Sequence, residues 1–279
     1  MVKSKGIRRM KEIELKISYT GGYADEGLLD IYDASESIRG LARALAITTH
    51  AFANDGEIRR RAFSAHNAKI FLHPPRQGSF EALATVALAN PVATFIGTSV
   101  VTKCFWDFLQ WTWSNSIGRA HQPETRYVRK FDDRVEPFVD EMGISLESAM
   151  EELHRPIKGA PNTEITIYRP RVGEVIKLDQ NTLSYVTAQV VVENQFVTGN
   201  VTKYNILSGF GKFYDDELGH TISFDLDADV SNEERALLSR SLDERNRGLD
   251  GKIVMTVQKV YTGREVIKRY KVSGVQVRL

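Results

Sequence analysis

Hydrophobic and polar positions follow first a strand pattern and then a helix pattern near the start of the chain. In the stretch EIELKISY, apolar and charged residues alternate, which predicts a half-buried strand. The stretch GLLDIYD predicts a second, short strand. Asp33 is followed three residues later by Glu36, a capping-box spacing, and apolar residues recur behind it at helical spacing. We therefore predict a helix over residues 34–53, followed by further strands up to Asn90.

A long run without charge follows, from Glu81 to Lys103. Asn90 is a good N-cap residue, and Pro91 is favoured at the first helical position. The run is therefore predicted to hold the end of a strand and then the first half of a helix over residues 91–114. A membrane span needs roughly 20 continuous apolar helical residues, and the part of this helix before Lys103 is shorter.

The predicted helix has a narrow polar stripe from Ser99 to Ser114, and the rest of its circumference is apolar. Three interpretations stay open for this apolar face: packing against the sheet and neighbouring helices, a subunit or partner interface, or insertion into a membrane. The residues that we expect to form an oligomer or membrane face are Phe105, Trp106, Phe108, Leu109, Trp111 and Trp113.

The C-terminal part is rich in strand patterns and follows a Pro- and Gly-containing stretch, PIKGAPNTE. Its predicted order is three strands, a helix and two strands, which is the element order of an OB-fold, while an SH3-like barrel remains open. Ser231 and Glu234 form a capping box at the start of that helix. The predicted class is α+β: a basic leader over 1–11, a mixed sheet with helices over 12–158, and a small β-barrel over 159–279.

Composition limits the possible functions. The net charge of +1 produces no global field for nucleic acid or acidic lipid, so any such binding would need a local patch. The single cysteine, Cys104, excludes an intramolecular disulfide. The basic leader is not followed by the apolar segment of a secretory signal, and we expect a cytoplasmic protein.

Motifs for catalysis are missing from the sequence. Asp225, Asp227 and Asp229 alternate like the start of a calcium loop, but the glycine and glutamate that such a loop needs do not follow. Zinc-protease, phosphate-loop and serine-hydrolase spacings do not occur. We expect no catalytic residue, no metal and no cofactor; a metal-dependent enzyme with an acidic site is the remaining catalytic alternative.

Cations and aromatic residues interleave in the predicted barrel. Single-stranded nucleic acid is bound by this combination, with cations on phosphates and rings stacked on bases. The same alternation also arises when rings point into a barrel and charges point out. The candidate nucleic-acid or partner-binding residues are Lys203, Tyr204, Lys212, Tyr214, Arg264, Lys268, Arg269 and Lys271.

The stretches GSFEALATVAL, GKFYDDELGHTISFDL and KRYKVSGV resemble those of uncharacterised bacterial proteins. This two-domain family pairs an α+β N-terminal domain with a small C-terminal β-barrel and is associated with mobile elements and phage defence. The resemblance implies a role in conflict between bacteria and mobile DNA. We predict a non-enzymatic binding or assembly component that self-associates or binds a protein partner, with single-stranded nucleic acid as a further candidate. A membrane-disrupting effector that exposes the apolar helix is the alternative.

Overall fold

The computed structural model describes residues 10–59, 64–73, 81–134, 137–190, 193–263 and 265–278. The chain divides into two compact units. The first unit contains Met1–Asp132 and Glu141–Val186, and the second contains Asp133–Asp140 and Thr187–Leu279.

The first unit is built on a five-stranded antiparallel sheet in the order β2-β3-β1-β4-β5. In the central strand, Ile13, Leu15 and Ile17 are buried on one face as the alternation predicts. The strands are β1 (Met10–Thr20), β2 (Ala68–Leu72), β3 (Glu81–Ala89), β4 (Glu164–Arg169) and β5 (Gly173–Leu178).

Helices accompany this sheet. They are a 3-10 helix (Gly22–Glu26), α1 (Ile31–Ala53), α2 (Asn90–Ile96), α3 (Val101–Ser116), α4 (Arg126–Asp132), α5 (Phe138–Leu153), α6 (Arg155–Gly159) and α7 (Gln180–Val186).

Helix α1 begins earlier than the sequence pattern predicts. Asp30 is its N-cap residue, and its carboxylate accepts hydrogen bonds from the backbone N–H groups of Tyr32 and Asp33. The predicted short strand in GLLDIYD is therefore wrong, because its second half is the first turn of α1. Asp30 and Asp33 are both suitable N-cap residues, and Asp30 is the one that caps α1.

The predicted helix over 91–114 is divided in two. Helix α2 ends at Ile96. Its C-cap residue Gly97 has a φ of 108°, which residues with a Cβ rarely adopt, and α3 continues at an angle of 88° to α2. Among the described residues, no single helix has the length and apolarity to cross a membrane; α2 and α3 pass that test only as a bent pair.

The division between the units lies later in the chain than the predicted boundary at 158. Strand β4 pairs with the central strand β1, with Tyr19 opposite Ile165, and β5 pairs with β4. Both strands therefore belong to the first sheet, and the first unit continues to Val186. The Pro- and Gly-containing stretch is a connection inside this unit.

The second unit is a closed five-stranded barrel in which neighbouring strands follow the order β7-β8-β9-β11-β10 and β10 returns to β7. The β9–β11 pair is parallel, and the other pairs are antiparallel. Its elements are β6 (Ala188–Val190), β7 (Gln195–Asn205), β8 (Phe210–Asp215), β9 (His220–Leu226), α8 (Asn232–Asn246), β10 (Ile253–Thr262) and β11 (Ile267–Val277). The predicted α+β class and small C-terminal barrel are confirmed.

The barrel interior is filled by large side chains from all five strands. Phe213, Phe224, Met255 and Tyr270 are fully buried. Helix α8 begins with the predicted capping box of Ser231 and Glu234, and its Leu238 joins the same core. The helix therefore stabilises the barrel by burying apolar surface against it.

Candidate functional site

The apolar face of α3 lies inside the first unit. The six residues that we expected at an oligomer or membrane face are at most 4% exposed: Phe105, Trp106, Phe108, Leu109, Trp111 and Trp113. Trp113 also donates a hydrogen bond from Nε1 to Oγ1 of Thr48, 2.8 Å away. The unit uses this face as its own core.

The polar stripe of α3 holds the connection that follows the helix. Asp107 is buried, and its carboxylate accepts hydrogen bonds from the backbone N–H groups of Glu124 and Thr125 at 2.9 and 2.7 Å.

Cys104 is also buried, and burial raises the pKa of its thiol. This raised pKa disfavours the thiolate form that a nucleophilic cysteine requires.

Four polar residues form one row across the outside of the barrel, which we call the outer row. Lys203 lies opposite Lys212 on the neighbouring strand, Lys212 opposite Ser223, and Ser223 beside Arg269. Side chains that pair across neighbouring strands point to the same face. Phe213 and Phe224, the chain neighbours of Lys212 and Ser223, are buried in the core, so this row faces outward.

The outer row already makes contacts within its unit. Asp140 accepts from Lys212 at 2.9 Å and from the Ser223 hydroxyl at 3.1 Å. The Lys203 amine donates to the backbone carbonyl of Arg134, 3.3 Å away. Both partners lie in the segment Asp133–Asp140, which belongs to the second unit. A ligand that binds Lys212 would therefore compete with a carboxylate.

Lys271 extends the basic surface along β11, whereas its neighbour Arg269 is buried. Lys271 pairs with Asp225 in the parallel ladder, and Arg269 is 8% exposed with its Nε 3.9 Å from the Asp225 carboxylate. Arg269 is therefore buried, and the expectation that it binds a ligand is wrong. Lys203, Lys212 and Lys271 are partly exposed, and the carboxylates of Asp140 and Asp225 lie among them. The surface is thus modestly basic.

The remaining predicted binding residues are placed differently. Tyr204 is 7% exposed and stacks on Phe224 with ring centroids 6.2 Å apart, so the expectation that it offers its ring to a base is wrong. Tyr214 is 40% exposed, and it lies opposite Thr221, two residues along β8 from Lys212. Lys268 is half-buried at an irregularity between β10 and β11, and Arg264 lies outside the described residues.

A cleft that the sequence analysis missed lies on the polar face of the first sheet. It has a volume of about 860 Å³ and is lined by charged groups from β1, β3 and the β4–β5 turn. Lys16 pairs with Glu81 at 2.7 Å and lies 4.7 Å from the Tyr168 ring centroid, while His73 lies 2.8 Å from the Thr85 hydroxyl. The alternation of Glu14 and Lys16 along β1 is the sequence signal for a polar face here.

The buried carboxylate of Asp215 stabilises the barrel. Asp215 is buried, accepts from the Tyr270 hydroxyl at 2.8 Å, and caps the β8–β9 turn through the N–H groups of Glu217 and Leu218. Within the described parts of the chain, no group of three His, Cys, Asp or Glu side chains is placed to hold a metal ion.

Comparison with known families matches both units in order along the chain. The model described as "Domain of unknown function (DUF7946)" matches residues 15–187, more than half of the 279 residues. The model described as "Family of unknown function (DUF7947)" matches residues 193–276. No curated protein and no solved structure matches the chain.

Proposed function

The chain belongs to the DUF7946 family, and we propose that it is a binding protein whose C-terminal barrel holds single-stranded nucleic acid. The observation that supports this proposal most directly is the outer row, in which Lys203, Lys212 and Ser223 are partly exposed, with Tyr214 exposed beside them. Such binding needs two components: cations along the path of the phosphate backbone, and an aromatic ring on which bases stack.

The barrel arrangement favours the same ligand. Closure in the order β7-β8-β9-β11-β10, a parallel β9–β11 pair and a helix between the third and fourth strands are features of an OB-like barrel. OB-folds bind oligonucleotides and oligosaccharides on the face of their second and third strands. Here β8 and β9 hold those places, and Lys212, Tyr214 and Ser223 lie on them.

The charge balance sets the expected strength of binding. Two carboxylates lie among three partly exposed lysines, so a bound strand would gain only part of the electrostatic free energy that an unopposed basic groove supplies. The bound phosphates would replace Asp140 as the partner of Lys212. We therefore expect weak binding that falls steeply with salt concentration.

Charge reversal on the outer surface tests the proposal. Lys212→Glu combined with Lys271→Glu should weaken binding of a labelled single-stranded oligonucleotide by about tenfold or more, because two phosphate contacts become repulsive. Fluorescence anisotropy at low and moderate salt would measure the change and the reduced salt dependence. Tyr214→Ala should also weaken binding, by the loss of one stacked base.

Lys177→Glu is the matched control, since this lysine is similarly exposed but pairs with Glu164 in the first unit. It should leave oligonucleotide binding unchanged. Equal affinities for the wild type, the Lys212 and Lys271 variant and the Lys177 variant would contradict the proposed surface. The role in conflict with mobile DNA and the assembly with a partner stay predictions.

A further inference from the structure

A cavity of about 540 Å³ lies beside the barrel, where the end of β7, the connection from β9 to α8 and one face of α8 meet. Asn232, Arg235 and Ser239 recur at three- and four-residue steps, so they share that face of the helix. Ile206 and Val230 supply apolar walls. The cavity thus combines a cation, an amide and hydroxyls with a smaller apolar surface, which suits a polar ligand better than an apolar one.

Tyr204 brings an unsatisfied polar group to this cavity. The residue is only 7% exposed, and its hydroxyl is buried without a hydrogen-bond partner among the described residues. Arg235 is the polar group beside this hydroxyl, and its charge and side-chain contact lower the pKa of Tyr204 against the larger, opposite effect of burial. The contact does not reach the geometry of a full hydrogen bond. A buried hydroxyl without a partner costs free energy, and a ligand oxygen in the cavity would remove that cost.

Arg235 is held in place for an anion. Its Nε donates to the backbone carbonyl of Val230 at 3.1 Å, which leaves the two terminal nitrogens of the guanidinium for other partners. Within the described part of the chain no carboxylate forms an ion pair with it. Ala228 and Val230 line the cavity, whereas Asp227 and Asp229 beside them do not.

The donors around the cavity favour a ligand with several oxygens. Asn232, the first residue of α8, adds a side-chain amide to the guanidinium of Arg235. Ser239 adds a hydroxyl from the same face of α8, and Tyr204 adds one from β7. A phosphate monoester carries three terminal oxygens and a charge of about −2, so it can accept from more of these donors, and is attracted more strongly by Arg235, than a carboxylate with two oxygens and one charge.

We propose that this cavity binds a phosphate monoester, held by the terminal nitrogens of Arg235 and by the Tyr204 hydroxyl. Its source is either a free mononucleotide or the terminal phosphate of a nucleic-acid strand. The second source rests on the proposed function, and the first does not.

Two measurements separate these sources. Calorimetric titration with adenosine monophosphate detects the free nucleotide, and anisotropy with one oligonucleotide, with and without a 5′-phosphate, detects the strand end. We expect at least one of these phosphate-dependent signals in the wild type, and we expect Arg235→Ala to reduce it about tenfold. Tyr204→Phe should reduce it by a smaller factor, because this change removes the hydroxyl and keeps the ring that stacks on Phe224.

Arg247→Ala is the control. This substitution removes the same charge as Arg235→Ala, but Arg247 lies at the other end of α8 and its side chain is 69% exposed. Thermal melting of each variant would show that the barrel stays folded. The proposal is overturned if neither probe gives a phosphate-dependent signal, or if Arg235→Ala binds like Arg247→Ala. Lys212→Glu in the same anisotropy assay reports on the outer surface separately, so failure of the cavity and failure of the proposed function are distinguishable.

Discussion

Replacing Phe108 by alanine should lower the free energy of unfolding by about 3–5 kcal/mol, because it removes a large ring from a closely packed core. Phe108 is fully buried, and its ring centroid lies 5.6 Å from that of Phe52 and 5.4 Å from that of Phe131. The cavity left behind would have aromatic walls from α1 and α4 as well as from α3. Urea unfolding followed by tryptophan fluorescence and by circular dichroism would measure the loss.

Phe95→Ala is the matched control for this experiment. Phe95 lies in the neighbouring helix α2 and is 78% exposed, so its replacement should change the free energy of unfolding by no more than about 0.5 kcal/mol. If the apolar face of α3 acted as an exposed oligomer or membrane surface, the two variants would have similar stability. Light scattering should give the same mass for both variants.

Lowering the pH from 7 to 5 should reduce the stability of the protein by about 2 kcal/mol through His154 alone. His154 is fully buried; its Nδ1 lies 2.6 Å from the Met150 carbonyl oxygen and its Nε2 lies 2.8 Å from the Thr182 hydroxyl. Burial is the largest cause that lowers the pKa of this histidine from 6.5 to about 4.

The direction of this change in stability follows from the protonation of His154 in the unfolded and the folded protein. The unfolded chain takes up a proton on His154 below pH 6.5, while the folded protein keeps the ring neutral until about pH 4. Stability is therefore fully present above pH 6.5 and is lost as the pH falls towards 4. Denaturant unfolding at a series of pH values would give the slope.

His154→Gln should be less stable at pH 7 but should show a shallower loss of stability towards pH 5. His220→Gln, at an exposed site in β9, should retain the wild-type slope. A His154→Gln variant with the full wild-type slope would mean that other groups carry the pH dependence.

The barrel could be predicted from the sequence because its signals are local. The capping box of Ser231 and Glu234 and the strand patterns on either side give the order of elements directly. The place of β4 and β5 could not be predicted, since it depends on the pairing of Tyr19 with Ile165 across most of the first unit. Pairing between strands that are distant along the chain produces no periodic pattern of hydrophobic residues from which it could be predicted.

The error at Tyr204 has a similarly specific cause. Val197 and Val201 point into the barrel with a period of two, which would place residue 204 outside. A register shift between Val201 and Lys203 changes the alternation, so Lys203 points outward and Tyr204 inward. The sequence shows that Lys203 and Lys212 are candidate binding residues. It does not show their partners Arg134 and Asp140, which come from a segment some 70 residues away.

The segment Asp133–Asp140 makes the second unit discontinuous, with consequences for how the protein is synthesised and dissected. It leaves the ribosome before any barrel strand, so the barrel completes its surface with residues that were made much earlier. A fragment that starts at Thr187 lacks the carboxylate of Asp140 beside Lys212 and Ser223. Such a fragment should be more basic on this surface than the whole chain, and its affinity for an oligonucleotide would overstate that of the intact protein.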